Sequence, residues 1–170
     1  MILRKAESKD LERILELNEE WVHFLSPMAM EKLEHLRSQS EILSIIEVDG
    51  IVEAFVLTLR QGKEYDSLTY RWFSEHYDRF LYIDRVVVSE KMQGKGLGQM
   101  LYQSIFDHAK EIGVPYIVAD IYIDPPNNVS LNFHKNFGFE KVGRLPIPER
   151  KKVVSLQILC MNGACHLSYN

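Results

Sequence analysis

The chain has 170 residues, 46% hydrophobic and 26% charged, with 9 glycines and 6 prolines. That length can bury one substantial core without disulfide or metal staples, and the composition excludes disordered, collagen-like and membrane-spanning classes. Lys and Arg number 20 against 24 Asp and Glu, a net charge of −4, so the basic footprint of a nucleic-acid-binding domain is missing and no such partner is expected.

Ile2 to Ala6 reads as a short strand. Leu11, Ile14, Leu15, Trp21, Val22 and Leu25 then recur at helical spacing and predict a long helix. Ser26-Pro27 breaks that pattern and predicts a second helix through about Arg37, since Ser caps and Pro suits the first helical position. Residues 42–48 and 51–59 are β-branched runs joined by Asp49-Gly50, a hairpin signal because both turn residues tolerate positive φ. The polar stretch from Gln61 to Arg79 carries Tyr65, Tyr70, Trp72, Phe73, His76 and Tyr77, and a connection of this length is functional, partly structured or mobile. Phe80 to Val88 reads as a central strand, and a glycine-rich turn leads into a helix that Gly113 and Pro115 end. Tyr116 to Ile123 is an apolar strand stopped by Pro125-Pro126. Val129 to Asn136 predicts a short helix, and the final strands start at Gly138-Phe139 and Val153. Without repeats or linkers the chain reads as a single domain over residues 1–170.

The N-terminus turns charged at once and shows no secretory apolar region, and no run reaches the length needed to cross a bilayer, so a cytoplasmic location without membrane association is expected. Cys160 and Cys165, the only two cysteines, are then expected to be small buried thiols. A metal site from Cys160, Cys165 and His166 would need a further ligand and an unusual spacing, so no metal is expected.

Gln93-Gly94-Lys95-Gly96-Leu97-Gly98 lies between a buried strand and a helix. Glycines there allow close backbone approach, and the N–H groups of a helix N-terminus attract phosphate oxygens. The segment lacks the Gly-Lys-Ser/Thr ending of a nucleotide P-loop, and its glycines are misplaced for a dinucleotide fingerprint. Taken with Asn127-Asn128-Val129-Ser130-Leu131-Asn132-Phe133-His134 and Gly138-Phe139, it resembles the GNAT superfamily of N-acetyltransferases, whose pyrophosphate loop is Arg/Gln-x-x-Gly-x-Gly/Ala. The resemblance implies an α/β fold: a twisted, mixed, mostly antiparallel sheet of about six or seven strands flanked by helices, with strands four and five splayed. It also implies acetyl-CoA between those strands. Gln93, Gly94, Lys95, Gly96, Leu97 and Gly98 would hold the pyrophosphate, the backbone of Val86, Val87 and Val88 would pair with the pantetheine arm, and Asn127 would contact the cofactor near its pantetheine end.

Strand alternation places Asp84, Val86 and Val88 on one face and Arg85 with Val87 on the other. Asp84, an acid in an apolar strand, is the candidate base for the incoming amine, with a structural ion pair as the competing role. Where the family most often carries Tyr to protonate the departing thiolate, this chain has His134. With an ordinary pKa of about 6.5, only a minority of such a group is protonated at neutral pH. The implied reaction is direct attack of a primary amine on the acetyl thioester, a β-strand N–H steadying the oxyanion. A small-molecule acceptor is favoured, and the aromatics of the 61–79 connection are a lid over it, a cover for the sheet or a dimer contact. A peptide or protein N-terminal acetyltransferase, a non-catalytic acyl-CoA sensor and a homodimer remain open.

Overall fold

The computed structural model describes residues 1–163. Seven strands form one sheet in the order β1-β2-β3-β4-β5-β7-β6: β1 (Ile2–Lys5), β2 (Ile42–Val48), β3 (Ile51–Arg60), β4 (Leu81–Val88), β5 (Tyr116–Asp124), β6 (Glu140–Ile147) and β7 (Lys152–Cys160). All neighbours pair antiparallel except β4 and β5. Five α-helices accompany them: α1 (Leu11–Glu20), α2 (Met30–Gln39), α3 (Leu68–His76), α4 (Leu97–Glu111) and α5 (Asn128–Asn136).

The sheet separates two apolar clusters. On one face α1, α2 and α3 bury Ile14, Leu17, Leu33, Leu36, Tyr70 and Phe73 against Phe55, Leu57, Tyr82, Val118 and Leu156. On the other, α4 buries Leu97, Leu101, Tyr102, Ile105 and Ala109 against Ala54, Val56, Leu81, Ile83 and Ile117. Burial of each large apolar side chain contributes roughly 1.5–3 kcal/mol, so both layers hold the sheet. The β2–β3 turn is the expected one, with positive φ at Asp49 and Gly50.

Parallel pairing of β4 with β5 lasts only for Leu81↔Ile117, Tyr82↔Val118 and Ile83↔Ala119. Past Ile83 the two strands part, as the resemblance implied. Here β4 also departs from simple alternation. Leu57 pairs with Arg85 but Thr58 with Ile83, which leaves Asp84 as an extra residue, a bulge. One added residue shifts the side-chain phase by one position. Asp84 therefore shares the α1 side of the sheet with Arg85, and their expected separation onto opposite faces is corrected.

Three other expectations change. The first helix ends at Glu20, and the second begins at Met30 after Ala29 rather than at Ser26-Pro27. Ser26 is instead buried, its carbonyl and hydroxyl accepting from Arg85. The 61–79 connection is not an aromatic lid as a whole: Tyr70 and Phe73 of α3 are core residues, 3% and 0% exposed. Cys160 is disulfide-bonded and not a free thiol, while Cys165 and His166 lie outside the described residues. Among the described residues, no helix is long and apolar enough to cross a membrane, and no group of three or more His, Cys, Asp or Glu is placed to hold a metal.

Candidate active site

The parting of β4 and β5 opens a cavity of about 840 Å³, which reaches from the α4 N-terminus to the ends of α2 and α3. Of the residues singled out in the sequence, Asp84, Val86, Val87, Val88, Gln93, Gly98, Asn127 and His134 line it; Gly94, Lys95, Gly96 and Leu97 do not. Leu97 is 1% exposed in the core, so its side chain is closed to a ligand.

At one end lies the glycine loop. Gly94 and Gly96 have φ of +72° and +85°, and a Cβ on either would meet nothing within 4 Å. The loop needs glycine for its backbone angles, and the space over it is open. Gly96 caps α4 in the left-handed conformation, and the first α4 amide bonded back to it is that of Met100. The N–H groups of Leu97, Gly98 and Gln99 have no helical carbonyl to meet, which suits an anion on a 15-residue helix. This open, donor-rich cradle fits a pyrophosphate.

Beyond Ile83 the β5-facing edge of β4 has no strand against it, so an extended pantetheine chain has backbone groups to pair with. The carbonyl of Val88 already accepts from the Trp21 indole N–H at 3.0 Å. Asn127 caps α5, its side-chain oxygen accepting from the Ser130 N–H at 3.1 Å, and leaves its amide N–H groups for other contacts.

His134 is 5% exposed. Its Nδ1 lies 2.8 Å from the Ser130 carbonyl and its Nε2 lies 2.5 Å from the Tyr102 hydroxyl. A carbonyl only accepts, so Nδ1 carries the proton and Nε2 accepts from Tyr102. Burial lowers its pKa to about 4 despite the Ser130 bond. This neutral imidazole holds no proton at Nε2 to give, contrary to the role expected for it. Because the unfolded chain takes up a proton near pH 6.5 and the folded one only near pH 4, the site is destabilised progressively between those values, by about 3 kcal/mol at the lower end. Asp120, whose pKa burial raises, acts with the opposite sign. The difference between wild type and His134→Gln therefore isolates the histidine: urea unfolding at pH 7 and pH 4.5 is expected to show a steeper loss in wild type.

At the other end two carboxylates face the cavity. Asp84, its side chain 5% exposed, accepts from the Tyr65 hydroxyl at 2.5 Å on Oδ1 and from Arg85 Nε at 2.9 Å on Oδ2. Arg85, 2% exposed, also donates to Asn18 Oδ1 at 2.6 Å and the Ser26 carbonyl at 2.8 Å. This charge is saturated with partners. Asp120, on β5 just past the last β4–β5 pair, was not singled out in the sequence. Its signal was the one that flagged Asp84, a lone acid in an apolar strand. Tyr82 donates to Asp120 Oδ1 at 2.7 Å and the Thr69 hydroxyl also steadies it, but among the described residues it forms no ion pair, and burial raises its pKa. A partly desolvated carboxylate with no ion pair, open to a cavity, suits proton abstraction.

The family model of the acetyltransferase (GNAT) family matches residues 8–139, so the chain belongs to that family. Curated relatives include an L-methionine sulfoximine/L-methionine sulfone acetyltransferase of Pseudomonas aeruginosa and the L-amino acid N-acyltransferase MnaT of Escherichia coli. Each is 36% identical over 61 residues, 36% of this chain and 34% of the relative, so the match spans about a third of their length. A Salmonella typhimurium acetyltransferase structure with its cofactor acetyl-CoA superposes with a TM-score of 0.71 at 20% identity, covering 100% of this chain and 99% of that one. At that identity it supports the fold.

Proposed function

We propose that the protein transfers the acetyl group of acetyl-CoA to the primary amine of a small, amino-acid-like acceptor. The observation that carries this is one continuous cavity with a donor-rich helix N-terminus at one end and a carboxylate held in no ion pair, Asp120, at the other. The glycine loop would hold the pyrophosphate, the free edge of β4 the pantetheine arm, and Asn127 the region beside it. Acetyl-CoA supplies an activated thioester. The amino-acid class of acceptor draws on the curated relatives, whose names specify amino acids and their analogues.

Deprotonation of the acceptor falls to Asp120 in this reading, while Asp84, with both oxygens engaged, fixes Tyr65 and Arg85 in the cavity wall. An acceptor enters as an ammonium ion; one proton passes to Asp120 and the free amine attacks. Forming the amide releases a second proton from the same nitrogen, and the departing sulfur takes it. His134 anchors Tyr102 beside Phe133 and thereby shapes the cavity wall.

The test is thiol release from acetyl-CoA with a panel of amino acids, simple amines and peptides. Release with small amines supports the proposal. Release with peptide N-termini alone would replace it with peptide acetylation, and tight acetyl-CoA binding without release would make the protein a sensor.

A further inference from the structure

The cavity wall near α2 carries two cations that form no ion pair among the described residues. Lys32 of α2 is half-buried, and its one hydrogen-bond partner among the described residues is the Ser26 hydroxyl at 3.5 Å. Arg150, in the turn between β6 and β7, lies at the rim, where its guanidinium donates to the Tyr122 hydroxyl at 2.8 Å. Neither has a carboxylate within ion-pair distance among the described residues. Both line the same cavity as Asp120. Their fields overlap: Arg150 acts on Lys32 and on Asp120, and burial together with the Arg85 charge lowers the pKa of Lys32 against the opposing pull of Asp84. Two like charges held together in a partly dry cavity repel each other, and an arriving anion relieves that repulsion. The acidic side chains lining the cavity are Asp84, Asp120, Asp66 and the exposed Glu149, and none of them forms an ion pair with either cation.

We propose that Lys32 and Arg150 form an anion subsite that takes the carboxylate of a free α-amino acid, holding the acceptor so that its amine faces Asp120. This rests on the acetyl-transfer reading above and adds the groups that select the acceptor. An arginine fork and a lysine point charge on either side of a carboxylate leave its position fixed and its α-nitrogen directed away from them. An amino acid whose carboxyl is masked loses both partners.

The experiment compares a free amino acid with its methyl ester as acceptors, in wild type, Lys32→Met and Arg150→Gln, each verified as folded by its thermal transition. Wild type is expected to favour the free acid in kcat/KM by about ten- to a hundredfold, the value of charge-assisted hydrogen bonds. Each variant is expected to lower that acid-to-ester ratio, through KM for the acid. Calorimetric titration of the free amino acid into CoA-saturated protein supplies a readout that needs no turnover, with heat in wild type that both variants lose. Equal use of acid and ester by wild type overturns the subsite, as does an unchanged ratio in both variants. If no amine is acetylated at all, the reaction assignment fails, and the titration still decides whether the two cations hold a carboxylate.

Discussion

Asp120→Asn is expected to reduce kcat by about 10²–10⁴-fold, the range for loss of a positioned general base, while the affinity for acetyl-CoA stays at the wild-type value. Asn keeps the size of Asp and can still accept from Tyr82, so the Tyr82–Thr69 side of the wall is retained. What disappears is the group that receives the proton. Asp84→Asn provides the contrast. It removes the partner of a guanidinium that is 2% exposed, and breaking a buried pair from one side costs about 3–5 kcal/mol. That variant is expected to lose stability first. Single-turnover rates, acetyl-CoA titration and thermal unfolding on both variants check this. A large rate loss in folded Asp84→Asn with a small rate loss in Asp120→Asn would return the base role to Asp84.

Gly96→Glu is expected to abolish acetyl-CoA binding, read as loss of the thermal shift that the ligand gives wild type. At about 100 times its dissociation constant a ligand adds roughly 2.7 kcal/mol. The substitution acts twice. At φ +85° an L-residue pays about 1–2 kcal/mol in backbone strain, and the new carboxylate stands at the helix N-terminus proposed to hold phosphate oxygens. Gly96→Ala separates the two effects, because its Cβ meets nothing within 4 Å. Ala is expected to lower stability slightly and keep most of the shift. If Glu binds as well as Ala does, the loop is a connection and not a phosphate site.

Local signals were legible where one short stretch decides the structure. Asp49-Gly50 specifies its own turn, and the glycine loop and α4 follow from residues within a few positions of one another. The order of elements came from periodicity and turn residues along the chain, and the splayed strands from the resemblance, through motifs that span Leu81 to Phe139. Site chemistry was less legible because it depends on partners distant in the chain. His134 meets Tyr102, 32 positions away, and that one bond turns a proposed proton donor into an acceptor. Asp84 reads equally as a base or as half of an ion pair with a helix residue, and only the bulge shows its partners to be Arg85, its own neighbour, and Tyr65. Ser26 carries a good helix-capping signal, yet a buried guanidinium 59 positions later claims its oxygens. Asp120 could have been found from its isolation in an apolar strand, but its lack of an ion pair is visible only in three dimensions.

Arg85 also sets a limit on how this protein could diversify. Its guanidinium ties β4 to Asn18 and to both oxygens of Ser26, while Phe24, Leu25 and Lys32 on either side of that anchor face the cavity. Variants that reshape the acceptor end can therefore accumulate at those three positions without disturbing the strand that borders the donor end. A library randomised at 24, 25 and 32 should retain many folded members. One randomised at 18, 26 and 85 should retain few, and the acceptor range of descendants would drift around a fixed post.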